Sequence, residues 1–283
     1  MIRSPNQPSN EAVLTCELPL GLPAGGNRER RAVLRESGEE LQLRLLDLDF
    51  TQPRERVLSQ ALSICVEQIG SVREPTAELM EELTLNDRHA LVHSLLLARG
   101  GAEISAAAVC TSCSRKLVLA LDLRAIELPR IPDSGAIVLT RPGRKGPVRR
   151  ELRIPTAKEL AQARDEATIL GLCLGCTPRE AKRWMRAAEN ALSRLDPLSH
   201  LEILGQCIDC HAKVRAEIDP AAHWLSILRA GSANLLQDIH RLALRYHWTE
   251  REILGLPEVR RQAYLDLSWG EQAEAPNTRA RGM

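Results

Sequence analysis

"VCTSCSRKLVLALDL", residues 109–123, sets Cys110 and Cys113 at C-x-x-C spacing and follows them with an alternating run. Leu117, Leu119 and Leu121 fall on one side of that run, the period-two pattern of a half-buried strand. A second strand-like run, 102–109, precedes the cysteines, so the unit reads as a β-hairpin turned by C-x-x-C. Such a turn offers two thiolates at its tip. Structural zinc takes four thiolate or imidazole ligands in a tetrahedron, so this hairpin supplies half a site.

The other half stands 97 positions later. Laying Cys110 on Cys207 puts Cys113 on Cys210, Lys116 on Lys213, Leu117 on Val214, Leu121 on Ile218 and Asp122 on Asp219. A helix is expected after each knuckle, so one supersecondary unit is used twice. The expectation is a single structural zinc held by Cys110, Cys113, Cys207 and Cys210, closing a loop of about 97 residues. Metal binding of this kind contributes directly to folding, on the order of 10 kcal/mol in small zinc domains. Two separate knuckles and a redox pair are the alternatives. The redox reading is weaker, because neither motif opens a helix after a buried strand. His211 adjoins Cys210 too closely for both to serve one ion well. The third pair, Cys173 and Cys176 in "LGLCLGCTPRE" (170–180), reads as buried thiols filling a helix end. Cys65 reads as a small core residue, and Cys16 stands alone.

The 283 residues carry 38 Lys and Arg against 37 Asp and Glu. So balanced a chain has no global electrostatic reason to seek nucleic acid or an anionic membrane. No apolar run approaches the roughly 20 residues of a membrane span, and no clean signal peptide opens the chain. A cytoplasmic protein is expected. With one Phe, two Tyr and four Trp, the core must come from Leu, Ala, Ile and Val.

Organisation follows from composition and period. Residues 1–38, rich in Pro, Gly, Asn and Arg, suggest a flexible arm with a short strand near 12–18. A first helix-and-knuckle half spans 39–128: a strand at 41–50, a helix over 54–70, and a helix over 83–101 capped by Thr84 or Asn86. His89 and His93 on that last helix read as a polar face. A Pro/Gly/Arg-rich linker covers 129–150, with strands at 136–140 and 148–155. The basic stretch 141–150 reads as a solvated linker, not a binding patch. The second half, 151–219, opens on the capping box Thr156-x-x-Glu159. C-terminal helices follow over 220–270, then a disordered tail over 271–283. The fold class expected is α+β: two related helix-plus-zinc-knuckle hairpin halves and a helical C-terminal segment.

This order is "LTLNDRHALVHSLLLA" (83–98), the first knuckle, "VRRELRIPTAKEL" (148–160), "ENALSRLDPLSHLEI" (189–203), the second knuckle, then "LLQDIHRLALRYHWTEREILGLPEVRRQAYLDL" (235–267). It resembles the T4-type baseplate hub assembly chaperone family, in the long form associated with phage-tail-like contractile injection systems. The similarity covers roughly residues 40–270. Family knuckles usually read Cys-Pro-x-Cys-Gly; here Thr111 and Ile208 replace the proline, and Ser114 and His211 the glycine. The resemblance implies a non-enzymatic assembly factor whose partners are baseplate or hub tail proteins. A permanent baseplate subunit and a zinc-ribbon nucleic-acid binder are the competing readings. No G-x-S-x-G, H-E-x-x-H or Gly-rich phosphate loop suggests an enzyme. Trp248, Tyr264 and Trp269 are the candidate partner-binding anchors, since aromatic residues carry much interface energy.

Overall fold

The computed structural model describes residues 14–25, 27–36, 38–99, 101–143, 146–199 and 201–273, with backbone alone for Glu39 and 269–273. The fold is α+β, built from small antiparallel hairpins and helices. Its described residues form two compact units. One takes 14–36 and 48–225; the other takes 38–47 and 226–273.

The larger unit opens with β1 (Thr15–Ala24) and β2 (Asn27–Leu34), where a flexible arm was expected. Cys16, Leu18, Leu20 and Leu22 alternate along β1 and are buried, so apolar burial outweighs the prolines that suggested a loose segment. Residues 1–13 of the expected arm lie outside the described residues. The β1–β2 register is interrupted between Glu17 and Leu22, and Gly21 sits there at φ 75°. A Cβ at Gly21 would come within 2.2 Å of the Glu29 carbonyl oxygen, so only glycine fits. The N–H groups of Leu20 and Gly21 donate to Asp87 Oδ1 at 2.8 and 3.1 Å.

The helix α1 (Glu39–Leu46) belongs to the smaller unit. Next come α2 (Arg54–Cys65) and the strands β3 (Val66–Ile69) and β4 (Val72–Arg73), which complete a sheet of order β1-β2-β3-β4. Cys65 is fully buried, as expected. Two capped helices follow, α3 (Ala77–Glu82) under Thr76 and α4 (Leu85–Ala98) under Thr84. The first knuckle hairpin is β5 (Glu103–Val109) and β6 (Lys116–Asp122), close to the predicted bounds.

The two strands expected at 136–140 and 148–155 are present as β7 (Ala136–Arg141) and β8 (Val148–Arg153), and they pair as a packed hairpin where a linker was expected. The hairpin packs on α6 (Glu166–Leu174) and α8 (Met185–Leu195) through Leu139, Leu152, Leu170, Cys173 and Trp184. Arg141 lies 4.8 Å over the Trp184 ring, a cation–π contact. Two short capping-box helices, α5 (Ala157–Gln162) and α7 (Pro178–Ala181), interrupt the helical run. The second knuckle hairpin is β9 (Leu201–Gln206) and β10 (Lys213–Ile218).

The smaller unit gathers α1, the rest of α9 (Pro220–Tyr246), α10 (Glu250–Leu254) and α11 (Glu258–Ala273). Its core is Ile239, Leu242, Ile253, Leu254 and Leu265. A strand was expected over 41–50, and the structure has a helix there. Within α1 the buried side chains are Leu41 and Leu45, four apart at helical spacing, while Leu43 is exposed. The unit therefore draws its first helix from the stretch that reads in sequence as the start of the first half. Of the expected disordered tail, α11 runs to Ala273 and 274–283 lie outside the described residues. Among the described residues no helix is long and apolar enough to cross a membrane.

Candidate metal centre

The two knuckles have the same local architecture. In the first, Cys110 N–H donates to the Arg115 carbonyl at 2.8 Å and Ser114 N–H to the Cys110 carbonyl at 2.9 Å. In the second, Cys207 N–H donates to Ala212 at 2.9 Å and His211 N–H to Cys207 at 2.9 Å. Every partner shifts by the same 97 positions. Ser114 and His211 stand where the resembled family has glycine, and both adopt left-handed backbone, φ 61° and 59°. The turn therefore imposes the conformation glycine would favour even without glycine.

The hairpins meet crosswise. Strand β5 lies against β10 and β6 against β9, so first strand faces second strand on both sides. Ala108, Cys110, Cys207, Val214 and Ala216 form a small buried cluster between them, joined by Leu117 and Leu119. Gly205 makes the approach close, because a Cβ there would sit 2.7 Å from Leu119 Cδ2.

The sulfurs follow the same crosswise rule. Cys110 Sγ lies 3.5 Å from Cys210 Sγ, and Cys113 Sγ lies 3.5 Å from Cys207 Sγ. All four lie within 4.8 Å of one another. A tetrahedral ion with metal–sulfur bonds of about 2.3 Å has sulfur–sulfur edges of about 3.8 Å, which this cluster fits. Cys110 and Cys207 are buried, while Cys113 and Cys210 face solvent. All are free thiols. Four soft donors with no carboxylate suit a thiophilic ion.

Charge is shared unevenly among them. Backbone N–H groups of Cys113 and Ser112 draw Cys110 down to about 6. The Arg115 N–H favours a thiolate at Cys113, but the neighbouring Cys207 and Cys210 outweigh it and push Cys113 up to about 12. At Cys210 the Ala212 N–H is likewise outweighed by Cys110, and the thiol is raised.

Comparison with protein-family models, curated proteins and solved structures finds no match.

Cys173 and Cys176 stay apart from the centre. Cys173 is buried in the α6–α8 core, and burial pushes its thiol up to about 11. Trp248 and Tyr264 are half-buried and pack on Tyr246. Tyr246 stacks on Trp248 at 4.7 Å, and Tyr264 meets Trp248 edge-on at 4.9 Å. The Trp269 side chain lies outside the described residues.

A helix was expected after each knuckle; α9 follows the second, but the first is followed by a single 3-10 turn, Leu123–Ala125. The helices at matching points are α4 and α8, which precede the knuckles and whose tie the sequence reading missed. Asn86 Nδ2 donates to the Leu195 carbonyl at 2.8 Å, and His89 Nδ1 bonds Asp196 Oδ2 at 2.7 Å. These contacts close the C-terminal end of α8 with side chains of α4. His93 Nε2–H donates to the Leu123 carbonyl at 2.9 Å. Thus the histidine pair holds elements together instead of forming a ligand pair. The partners stand 107 and 30 residues away, beyond the reach of local spacing.

Proposed function

We propose that this chain is a non-enzymatic assembly factor for the baseplate or hub of a phage-tail-like contractile injection system. In this reading it acts by protein–protein binding, on a scaffold stapled by one structural zinc. The crosswise ring of four thiols at matching points of a repeat carries the zinc part. Tetrahedral all-thiolate sites with closed coordination are structural, and the four cysteines leave no open position for substrate. The ordered resemblance across residues 40–270 carries the assembly part. Exposed Val118, Leu204 and Ile208 on the knuckle hairpins, and Val259 and Leu267 on α11, supply apolar contact area for partners.

The nucleic-acid reading draws less support. Of the basic residues beside the knuckles, Arg115 faces Asp209 at 3.6 Å and Arg215 faces Glu202 at 3.8 Å. A phosphate backbone would have to compete with those carboxylates. A permanent baseplate subunit is the runner-up, since both roles need partner surfaces and neither needs catalysis.

Mass spectrometry on a tagged pull-down and on purified contractile particles tests the assignment. Tail proteins in the pull-down, with this chain absent from particles, fit an assembly factor. Fixed stoichiometry in both samples fits a subunit. A pull-down without tail proteins overturns both. Elemental analysis of the purified chain should give one zinc per chain.

A further inference from the structure

The smaller unit holds a cavity of about 310 Å³ at the start of α11, lined by Leu254, Leu256, Pro257 and Glu258 and by Gln42 of α1. Arg261 lines it with only 7% of its surface exposed. Among the described residues no carboxylate, carbonyl or hydroxyl bonds its guanidinium. Its nitrogens are not sealed in: they reach solvent through the cavity, where a ligand group can take the place of water. Arg261 shares the cavity with the first turn of a 16-residue helix. Arg260 and Arg261 N–H donate to the Pro257 carbonyl at 2.9 and 3.0 Å, which leaves the Glu258 and Val259 N–H groups without a backbone acceptor among the described residues, at the positive end of the helix dipole.

We propose that this cavity binds a peptide carboxylate attached to an apolar residue, with Arg261 as the bidentate anchor. The planar guanidinium fork matches a carboxylate. Glu258 at the rim opposes a second negative charge, which favours a monoanion over a phosphate dianion. Leu254, Leu256 and Pro257 offer an aliphatic wall for the neighbouring side chain, and Gln42 also lines the space. The carboxylate comes from a chain terminus or from an Asp or Glu side chain.

Titration of the full-length protein with four probes tests this: N-acetyl-Leu-Leu as free acid, its C-terminal amide, N-acetyl-Leu-Glu-Leu amide, and inorganic phosphate. At least one carboxylate probe should bind about tenfold tighter than the plain amide, the worth of a charge-assisted pair. Preference for the free acid identifies terminus capture; preference for the Glu peptide identifies side-chain capture. Arg261→Gln should erase the preference, and Arg261→Lys should keep only part of it. Binding of neither carboxylate probe tighter than the plain amide, tighter binding of phosphate, or an unchanged preference in Arg261→Gln would each overturn the proposal. Comparison of the two carboxylate probes with the amide on the unaltered protein decides the matter even where a variant folds poorly.

Discussion

Ser114 and His211 occupy the same left-handed turn position in the two knuckles, at φ 61° and 59°. Both carry a Cβ, which penalises that region, and each holds it because the C-x-x-C turn closes through its N–H. For a residue with a Cβ, left-handed backbone costs roughly 1–2 kcal/mol, part of which glycine returns as unfolded-state entropy. Ser114→Gly and His211→Gly should therefore each stabilise the metal-free protein by about 0.5–1 kcal/mol, read by denaturant titration. A clear loss of stability in both variants would contradict the turn geometry.

Loss of one thiol should dismantle the whole centre, because each knuckle contributes half. Cys110→Ser and Cys207→Ser should lower zinc content and melting temperature together, and to similar extents. Cys173→Ala, in the core of α6–α8, should leave zinc stoichiometry unchanged. Full zinc in Cys110→Ser would show that the knuckles do not share an ion.

Binding should also depend on pH. Cys110 is already a thiolate near neutrality, whereas Cys113 and Cys210 keep their protons until metal displaces them. Each ion then releases at least two protons at pH 7, and apparent affinity falls about 100-fold per unit of acidification. The depressed folded-state value of Cys110 gives the metal-free fold stability that is present above the ordinary thiol range and lost as pH falls through about 6. Competition titrations between pH 6.5 and 8 measure the slope, and a flat profile refutes it.

Gly205 sets the separation of the hairpins. Gly205→Ala needs only a turn of the Leu119 end, since the near atom is a methyl carbon, and should be almost neutral. Gly205→Val overfills the contact and should cost about 1–3 kcal/mol. Adding Leu119→Ala should recover much of that loss, which a thermal-melt double-mutant cycle would reveal.

The knuckle hairpins were legible because their signal is local: alternation, turn and ligand spacing all fall within fifteen residues. The shared centre was legible because the repeat places both halves in one pattern. The N-terminal hairpin was not. Its bulge at Gly21 is stabilised by Asp87, 66 positions away, and nothing near Pro19 or Pro23 announces that acceptor. In 41–50 the leucines satisfy two periods at once. Leu41, Leu43 and Leu45 alternate, but Leu41, Leu45 and Leu48 are the ones the fold buries. What decides between them is tertiary: Leu46 of α1 packs against the cluster of Ile239 and Leu265, which local spacing does not announce.

The crosswise meeting of the hairpins is the arrangement that two identical chains would make around a two-fold axis. A symmetric pair is bound to solve each contact twice with the same residues. Within one chain that obligation lapses. Leu119 faces Gly205 on one side, while their repeat counterparts are Ala216 and Ala108. Covalent linkage thus leaves the two flanks of a single four-cysteine cluster free to differ, and two unlike surfaces can be presented from one nearly symmetric frame.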